Sequence, residues 1–284
     1  MPRIIGPGVV STPAEEFKAT ISPDGRSLLY VVTGRLFRRM TIVESTQHRG
    51  QWGLPRVVPF SGVWRDGDPA FTPDGSSVYF ISNRPMPGDP AGVPRRDFNI
   101  WMVHRTNGGT WEEPTALARG INTDTAEFAP SLTATGNLYF SRGDNMFSAK
   151  KQGSGFDVPV RLPMAGGDPA VSPDEQVLVF DANGPVADDA DLFLSCRTAT
   201  GWTEPSRLAE PVNTREEEGD PAFSADGRTL YFFSRHAPPS DRAPRSRPAT
   251  YAEVRHEALD DMYNGSRNLF AVTLASVCGT DRGS

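Results

Sequence analysis

The chain is poor in the residues from which many sites are built. Its two cysteines, Cys196 and Cys278, are too few for a disulfide framework and are expected as free, buried thiols. No run of about eighteen apolar residues occurs, so nothing in it is expected to span a membrane. The opening Met1-Pro2-Arg3-Ile4-Ile5-Gly6-Pro7 lacks the charged-then-apolar layout of a signal peptide, which suggests a cytoplasmic protein. Basic residues are outnumbered, 29 Lys and Arg against 35 Asp and Glu, and the net charge of −6 argues against nucleic acid as a partner. There is no Gly-x-Ser-x-Gly elbow, no Walker phosphate loop and no His-Glu-x-x-His, and Asp181 to Gly184 reads only as a turn. What these absences leave is a small polar ligand or a protein partner.

What the chain has is a repeat. A small residue, Pro, Asp and Gly form a turn that precedes a β-rich run, at Ser22-Pro23-Asp24-Gly25, Thr72-Pro73-Asp74-Gly75, Thr133-Ala134-Thr135-Gly136, Ser172-Pro173-Asp174-Glu175 and Ser224-Ala225-Asp226-Gly227. Pro presets φ, Asp bonds its own backbone and Gly accepts a positive φ, so each copy is a hairpin turn. After it comes an aromatic run such as Val78-Tyr79-Phe80 or Leu230-Tyr231-Phe232. A third strand opens at Arg35-Leu36-Phe37, Asn99-Ile100-Trp101, Asn145-Met146-Phe147, Asp191-Leu192-Phe193 and Asn268-Leu269-Phe270. A fourth is marked by an aromatic three residues before a proline, as in Trp52 and Pro55 or Trp202 and Pro205. Proline suits an outermost edge strand. A repeat of this length with four short strands predicts an all-β fold, one β-propeller of five blades. The blades fall near 14–62, 63–123, 124–164, 165–214 and 215–278, within a single domain covering residues 1–284.

The fifth repeat lacks a fourth strand, and Pro2-Arg3-Ile4-Ile5 matches the sequence that follows the proline in the others. Residues 2–5 are therefore expected to close the last blade, which implies that the chain begins near Met1. Two insertions separate second and third strands. One spans 85–97; the other spans 236–267 and carries one short helix, since Thr250 and Glu253 make a capping box and Gly265 a stop.

The consensus Glu-Phe-x-Pro-x-x-Ser-Pro-Asp-Gly-x-x-Leu-Tyr-Phe, then Asn/Asp-Ile-Trp, then Gly-x-Trp-x-x-Pro, resembles the TolB-type, WD-like β-propeller repeat family over about residues 2–278. TolB itself carries an extra N-terminal domain before its propeller, so the resemblance implies a relative and not TolB. Oligogalacturonate lyases are similar to this repeat class but use clustered histidines with a metal. Here His48, His104, His236 and His256 fall at unrelated repeat positions, and that activity is not carried over.

Acids recur at one repeat position: Glu16, Asp66, Glu127 and Glu218, with Gly166 breaking the series. Two residues on stand Lys18, Asp68, Ala129, Asp168 and Asp220. Residues i and i+2 of a strand share a face, so one face of these acids is expected to ring the channel mouth. Each carboxylate either bonds loop N–H groups or an arginine (Arg84, Arg142 and Arg235 stand at the same rim) or belongs to a site for a cationic ligand, with Asp68, Asp168 and Asp220 as candidate ligands of Ca²⁺ or Mg²⁺. The fifth insertion adds His236, Arg242, Arg245, Arg247, Tyr251, Arg255, His256, Glu257, Asp260, Asp261 and Tyr263, read either as an acid–base set or as a solvated helix with i,i+4 pairs. The leading expectation is a ligand- or partner-binding propeller whose site lies on the channel rim bearing the blade-2 and blade-5 insertions and comprises Glu16, Asp66, Arg84, Glu127, Arg142, Glu218, Arg235 and His236. Its rival is a hydrolase or lyase using Tyr251, His256, Glu127 or Glu218, with 236–267 as a lid. Either way, Glu127→Gln or Glu218→Gln is expected to impair binding or turnover more than folding.

Overall fold

Inner strands buried on both faces and short polar turns build five antiparallel blades of four strands around one axis, in a computed structural model that describes residues 1–34, 36–106, 108–185, 189–236, 247–256, 260–261, 263–274 and 278. Blade 1 runs outward through Glu15–Ile21, Ser27–Thr33, Met40–His48 and Arg56–Val57. Blade 2 takes Asp66–Phe71, Ser77–Ser82, Asn99–His104 and Thr115–Ala116. Blade 3 takes Glu127–Leu132, Leu138–Arg142, Asn145–Ala149 and Val160–Ala165. Blade 4 takes Gly167–Val171, Val177–Asn183, Ala190–Thr198 and Ser206–Arg207. Blade 5 takes Glu218–Phe223, Thr229–Ser234 and Asn268–Thr273, and its outer strand is Arg3–Ile4. Arg3 pairs with Ala271 and Ile4 with Phe270, so the N-terminus closes the ring as the repeat implies.

The hairpin turns form as their residues dictate. Ser22 Oγ donates to Asp24 Oδ1 (2.6 Å), the Arg26 N–H donates to the same oxygen (3.0 Å), and Gly25 sits at φ +72°. In blade 4, Glu175 takes the glycine position at φ +58°; its carboxylate is held across the blade gap by Tyr139 Oη (2.7 Å) and Asn137 Nδ2 (2.9 Å). The second strands bring Tyr30, Phe80, Phe140, Phe180 and Phe232 into the core at 1% exposure or less. Burying such a ring contributes about 1.5–3 kcal/mol. Between blades, Phe156 meets Tyr79 edge-on (6.4 Å) and Trp202 meets Tyr139 likewise (6.2 Å).

Three details differ from expectation. The third strand of blade 1 starts at Met40, so Thr41-Ile42-Val43 takes the place expected of Arg35-Leu36-Phe37, and Val43 pairs with Tyr30 as Trp101 pairs with Phe80. Phe37 instead ends a turn, its N–H donating to Gly34 O (2.8 Å), and packs on Phe17; Arg35 lies outside the described residues. The aromatics before the prolines do not lie in the outer strands. Trp52, Phe156 and Trp202 sit in two-residue return hairpins that precede them. Finally, Cys196 and Cys278 are not free thiols. Cys196 lies in the third strand of blade 4, Cys278 follows that of blade 5, and ring geometry brings their Cα atoms to 5.6 Å in a disulfide. The repeat positions gave no hint of this because the contact is made between blades.

Candidate functional site

The linker entering a blade ends in a clasp. In blade 5, Glu218 accepts from the Thr214 N–H (2.8 Å), Thr214 Oγ1 (2.7 Å) and Ser234 Oγ (2.5 Å). Glu127 accepts likewise from Thr123 N–H and Oγ1 (3.2 and 2.6 Å), and Glu16 from Thr12 N–H and Oγ1 (3.1 and 2.5 Å). Asp66, one methylene shorter, is reached by Ser61 Oγ (2.9 Å) and Ser82 Oγ (2.6 Å). The residue before each threonine ties the linker to the preceding blade. Asn213, Asn122 and Ser11 bond the main chain of Leu192, Ile100 and Leu269. Blade 4 has no clasp acid because Val160–Ala165 runs almost directly into its inner strand. A Cβ on Gly166 would lie 2.5 Å from Phe180 Cδ2.

The arginines serve the same joints. Arg84 donates to Asp66 Oδ1 (2.8 Å), Ser82 Oγ and Phe60 O, between the rings of Phe80 and Trp101. Arg142 pairs with Glu127 (3.0 Å) and donates to Gly120 and Ile121 carbonyls. Arg235 pairs with Glu217 (2.6 Å) rather than Glu218. The four clasp acids are at most 1% exposed, and burial pushes Glu16 up to about 8 despite the Thr12 bonds; the same cause raises Glu127 and Glu218. These bonds shift the expected effect of substitution from ligand to fold. Glu218→Gln turns an acceptor into a donor facing donors, and should lower stability by about 1–3 kcal/mol. Urea denaturation measures this, and an unchanged midpoint would remove the clasp's structural role.

Two residues along, the inner strand breaks. Lys18, Asp68, Ala129, Asp168 and Asp220 all adopt left-handed φ, between 45° and 52°, and each coincides with a slip in register. A non-glycine residue there costs about 1 kcal/mol or more, so it is held by its surroundings. In blades 2 to 5 the next residue is proline, whose missing N–H suits an unpaired bulge. The bulge corrects the shared-face expectation: the clasp acids turn into the linkers while the second series meets on the axis. There the Ala129 N–H donates to Asp68 Oδ2 of the neighbouring blade (2.9 Å), and Lys18 Nζ donates to Pro221 O (3.4 Å).

Lys18, Asp68 and Asp220 are 3%, 5% and 6% exposed. Burial opposes the Lys18 charge, but Asp168, Asp220, Asp68 and Asp181 outweigh it and raise its pKa. Burial, reinforced by Asp168, lifts Asp68 to about 6 and Asp181 to about 7, and holds Asp220 well above the carboxylate range. The three metal candidates thus converge on the chain's own ammonium group. Among the described residues no group of three or more His, Cys, Asp or Glu is arranged to hold a metal ion. Beneath Lys18 a hollow of ≈ 40 Å³, walled by Pro69, Pro130 and Pro221, has room for a few waters at most. Arg267 lies over Phe233, Phe37 and Phe17, and Arg65 over Phe98.

The helix Tyr251–Arg255 has the expected capping box, but Tyr251 is 81% exposed and buries nothing. His256 stands 3.7 Å from Asp260 in an exposed i,i+4 pair, Arg255 pairs with the same carboxylate (3.4 Å), and Arg247 pairs with Glu253. Neither Tyr251 nor His256 meets the buried acids. The His236 N–H donates to Ser234 Oγ (2.9 Å). Arg242, Arg245 and Glu257 lie outside the described residues.

An open polar hollow lies at the blade-2 insertion, one of the two insertions expected to flank the site. The insertion of blade 2 and the linker to blade 3 enclose ≈ 300 Å³, lined by Met86, Asp89, Arg95, Asn99, Arg119 and Asp124 among others. Asn99, on its wall, lacks a partner that its counterpart in blade 4 has. In blade 4, Asp191 is gripped by Arg207 from the outer strand (2.7 and 2.8 Å). The equivalent pair in blade 2 is Asn99 and Ala116, as the register shows: Ala116 faces Trp101 where Arg207 faces Phe193. Alanine cannot reach across, and Asn99 Nδ2, on a side chain 1% exposed, is left without a partner among the described residues.

The geometry has counterparts among solved structures. A protein from Agrobacterium tumefaciens assigned as TolB is 17% identical, with 82% of this chain and 74% of that one covered at a TM-score of 0.50. The fold is that of a TolB-like β-propeller. An α-L-arabinofuranosidase from Lactobacillus brevis shares it at 15% identity and TM-score 0.52, covering 96% and 93%. So does an α-L-arabinofuranosidase from Podospora anserina, solved with cellotriose, at 11% and 0.53, covering 95% and 94%. No family model and no curated protein matches the chain. At these identities the TolB-like propeller is shared as architecture. No helix among its described residues is long and apolar enough to cross a membrane.

Proposed function

We propose that this propeller binds a small polar ligand in the hollow between the blade-2 insertion and the linker to blade 3. The observation that carries this reading is Asn99: a buried amide donor lacking a partner, on the wall of a ≈ 300 Å³ hollow. An unpaired buried donor costs about 1–3 kcal/mol, which a ligand acceptor would recover. The clasp acids, by contrast, are engaged within the fold. The disulfide argues for work in an oxidising compartment rather than the cytoplasm.

The test follows from blade 4. The double variant Asn99→Asp with Ala116→Arg installs that blade's ion pair and so engages residue 99 on the wall of the hollow without opening the core. Sugars, amino acids and carboxylic acids would be screened by saturation-transfer NMR. Compounds that bind the wild type and are lost in this stably folded variant support the reading; compounds that bind both equally overturn it.

A further inference from the structure

We infer that the blade-2 hollow receives a small zwitterion, a free amino acid held by both its charged ends; this rests on the site proposed above. Most of the lining groups are already satisfied within the fold. Asn122 is fully engaged: Oδ1 accepts from the Ile100 N–H (2.8 Å), and Nδ2 donates to Ile100 O (2.9 Å) and Leu117 O (3.0 Å). Thr123 Oγ1 is taken by Glu127 (2.6 Å) and Thr125 O. Arg95 forks onto Asp97 (3.0 and 3.0 Å) and reaches Asp89 (2.7 Å), whose Oδ2 also accepts from the Met86 N–H.

Three groups remain. Asn99 Nδ2 offers one buried donor. Arg119 is exposed and makes no ion pair or hydrogen bond among the described residues, while its charge is felt at Asp89. Asp124 extends fully into solvent, its nearest cation Arg95 at 4.0 Å. The remainder is two donors, one of them cationic, and one anionic acceptor.

That set selects among ligand chemistries. A phosphate would meet Arg119 but also the carboxylates of Asp89 and Asp124, and the lining as a whole holds two arginines against two aspartates. A simple cation would find Asp124 but leave Asn99 unsatisfied. A neutral polyol would satisfy Asn99 and leave Arg119 uncompensated. A molecule with a carboxylate for Arg119 and Asn99, and an ammonium for Asp124, answers all three. Met86 and Pro87 supply an apolar wall for its side chain. The size agrees, since ≈ 300 Å³ lies at the small end of ligand cavities.

Titration calorimetry on the full chain tests this with four probes: L-leucine, N-acetyl-L-leucine, L-leucine methyl ester and L-arabinose. L-leucine is expected to bind about tenfold or more tightly than either blocked form. Asp124→Asn should weaken L-leucine to the level of the N-acetyl form and leave the N-acetyl form unchanged. Arg119→Gln should do the same with respect to the ester. Both residues are exposed, so the variants should melt as the wild type does. Blocked forms that bind as well as L-leucine overturn the inference, as does L-leucine binding indifferent to both variants. If arabinose binds, is lost in the Asn99→Asp, Ala116→Arg variant, and L-leucine does not bind, the site stands and the zwitterion falls. If none of the four probes binds at millimolar concentration, both fall.

Discussion

Deleting residues 1–8 should cost this protein most of its stability. The segment looks dispensable by length, yet it supplies the whole outer strand of blade 5. Arg3 and Ile4 pair with Ala271 and Phe270, the Ile5 N–H donates to Leu269 O (2.8 Å), and Ile5 is 7% exposed. Without it, the edge of blade 5 presents unpaired N–H and C=O groups, and the contact with blade 1 loses its cover. The deletion also removes Gly6, whose carbonyl accepts from the Val10 N–H (2.7 Å) and so shapes the approach to Ser11. A domain of this kind has about 5–15 kcal/mol in hand, and losses above about 4 kcal/mol are expected here. Urea denaturation of the truncated chain measures this directly, and a synthetic peptide of residues 1–12 should restore part of the loss. An unchanged midpoint would mean that the ring does not depend on its closing strand.

Lys18→Met should be nearly as damaging at about pH 8 and mild at about pH 5. The lysine is the cation among Asp68, Asp168, Asp220 and Asp181. Removing one partner from a buried charge cluster costs about 3–5 kcal/mol when the remaining charges cannot neutralise. Here they can. Asp68 near 6 and Asp181 near 7 hold protons that the unfolded chain, with carboxyls near 3.8, releases earlier. With Glu16 near 8 as well, the folded state therefore binds more protons between about pH 4 and 8, and wild-type stability falls as pH rises through that window. Below it the slope reverses. Asp24, Asp74 and Asp226 are lowered, chiefly by the hydroxyls of Ser22, Thr72 and Ser224, and their contribution is lost as pH falls through their folded values. Lys18, raised above 10.5, contributes fully throughout. Maximum stability is thus expected near pH 4–5, and the variant should show a steeper decline toward alkaline pH. Melting curves of both proteins across this range decide it; parallel profiles would mean that Lys18 is not what keeps the axial carboxylates charged.

The propeller was legible because its signals are local. Ser22-Pro23-Asp24-Gly25 and its copies specify a turn by their own chemistry, and Arg3-Ile4 matched outer strands elsewhere in the chain. Blade 1 misled because Phe37 has the composition of a strand residue while its backbone turns at φ +50°. The clasp was misread because period-two alternation holds only along a regular strand, and a left-handed residue interrupts it after Glu16, Asp66, Glu127 and Glu218. One signal was available: Gly-Asp-Pro-Ala recurs at 67–70, 167–170 and 219–222, a run too strained for an ordinary strand. The rim hollow was readable as a difference between repeats, since Asp191 with Arg207 becomes Asn99 with Ala116. The disulfide was not, because Cys196 and Cys278 meet only once neighbouring blades have stacked.

The two ends of the chain meet mechanical load unequally. Tension on the N-terminus would unzip a two-residue strand one hydrogen bond at a time. Tension on the C-terminus would stop at Cys278, where a covalent bond passes the force to blade 4. A tether or fusion at the tail would therefore leave the wheel intact, while the same pull at the head would open it.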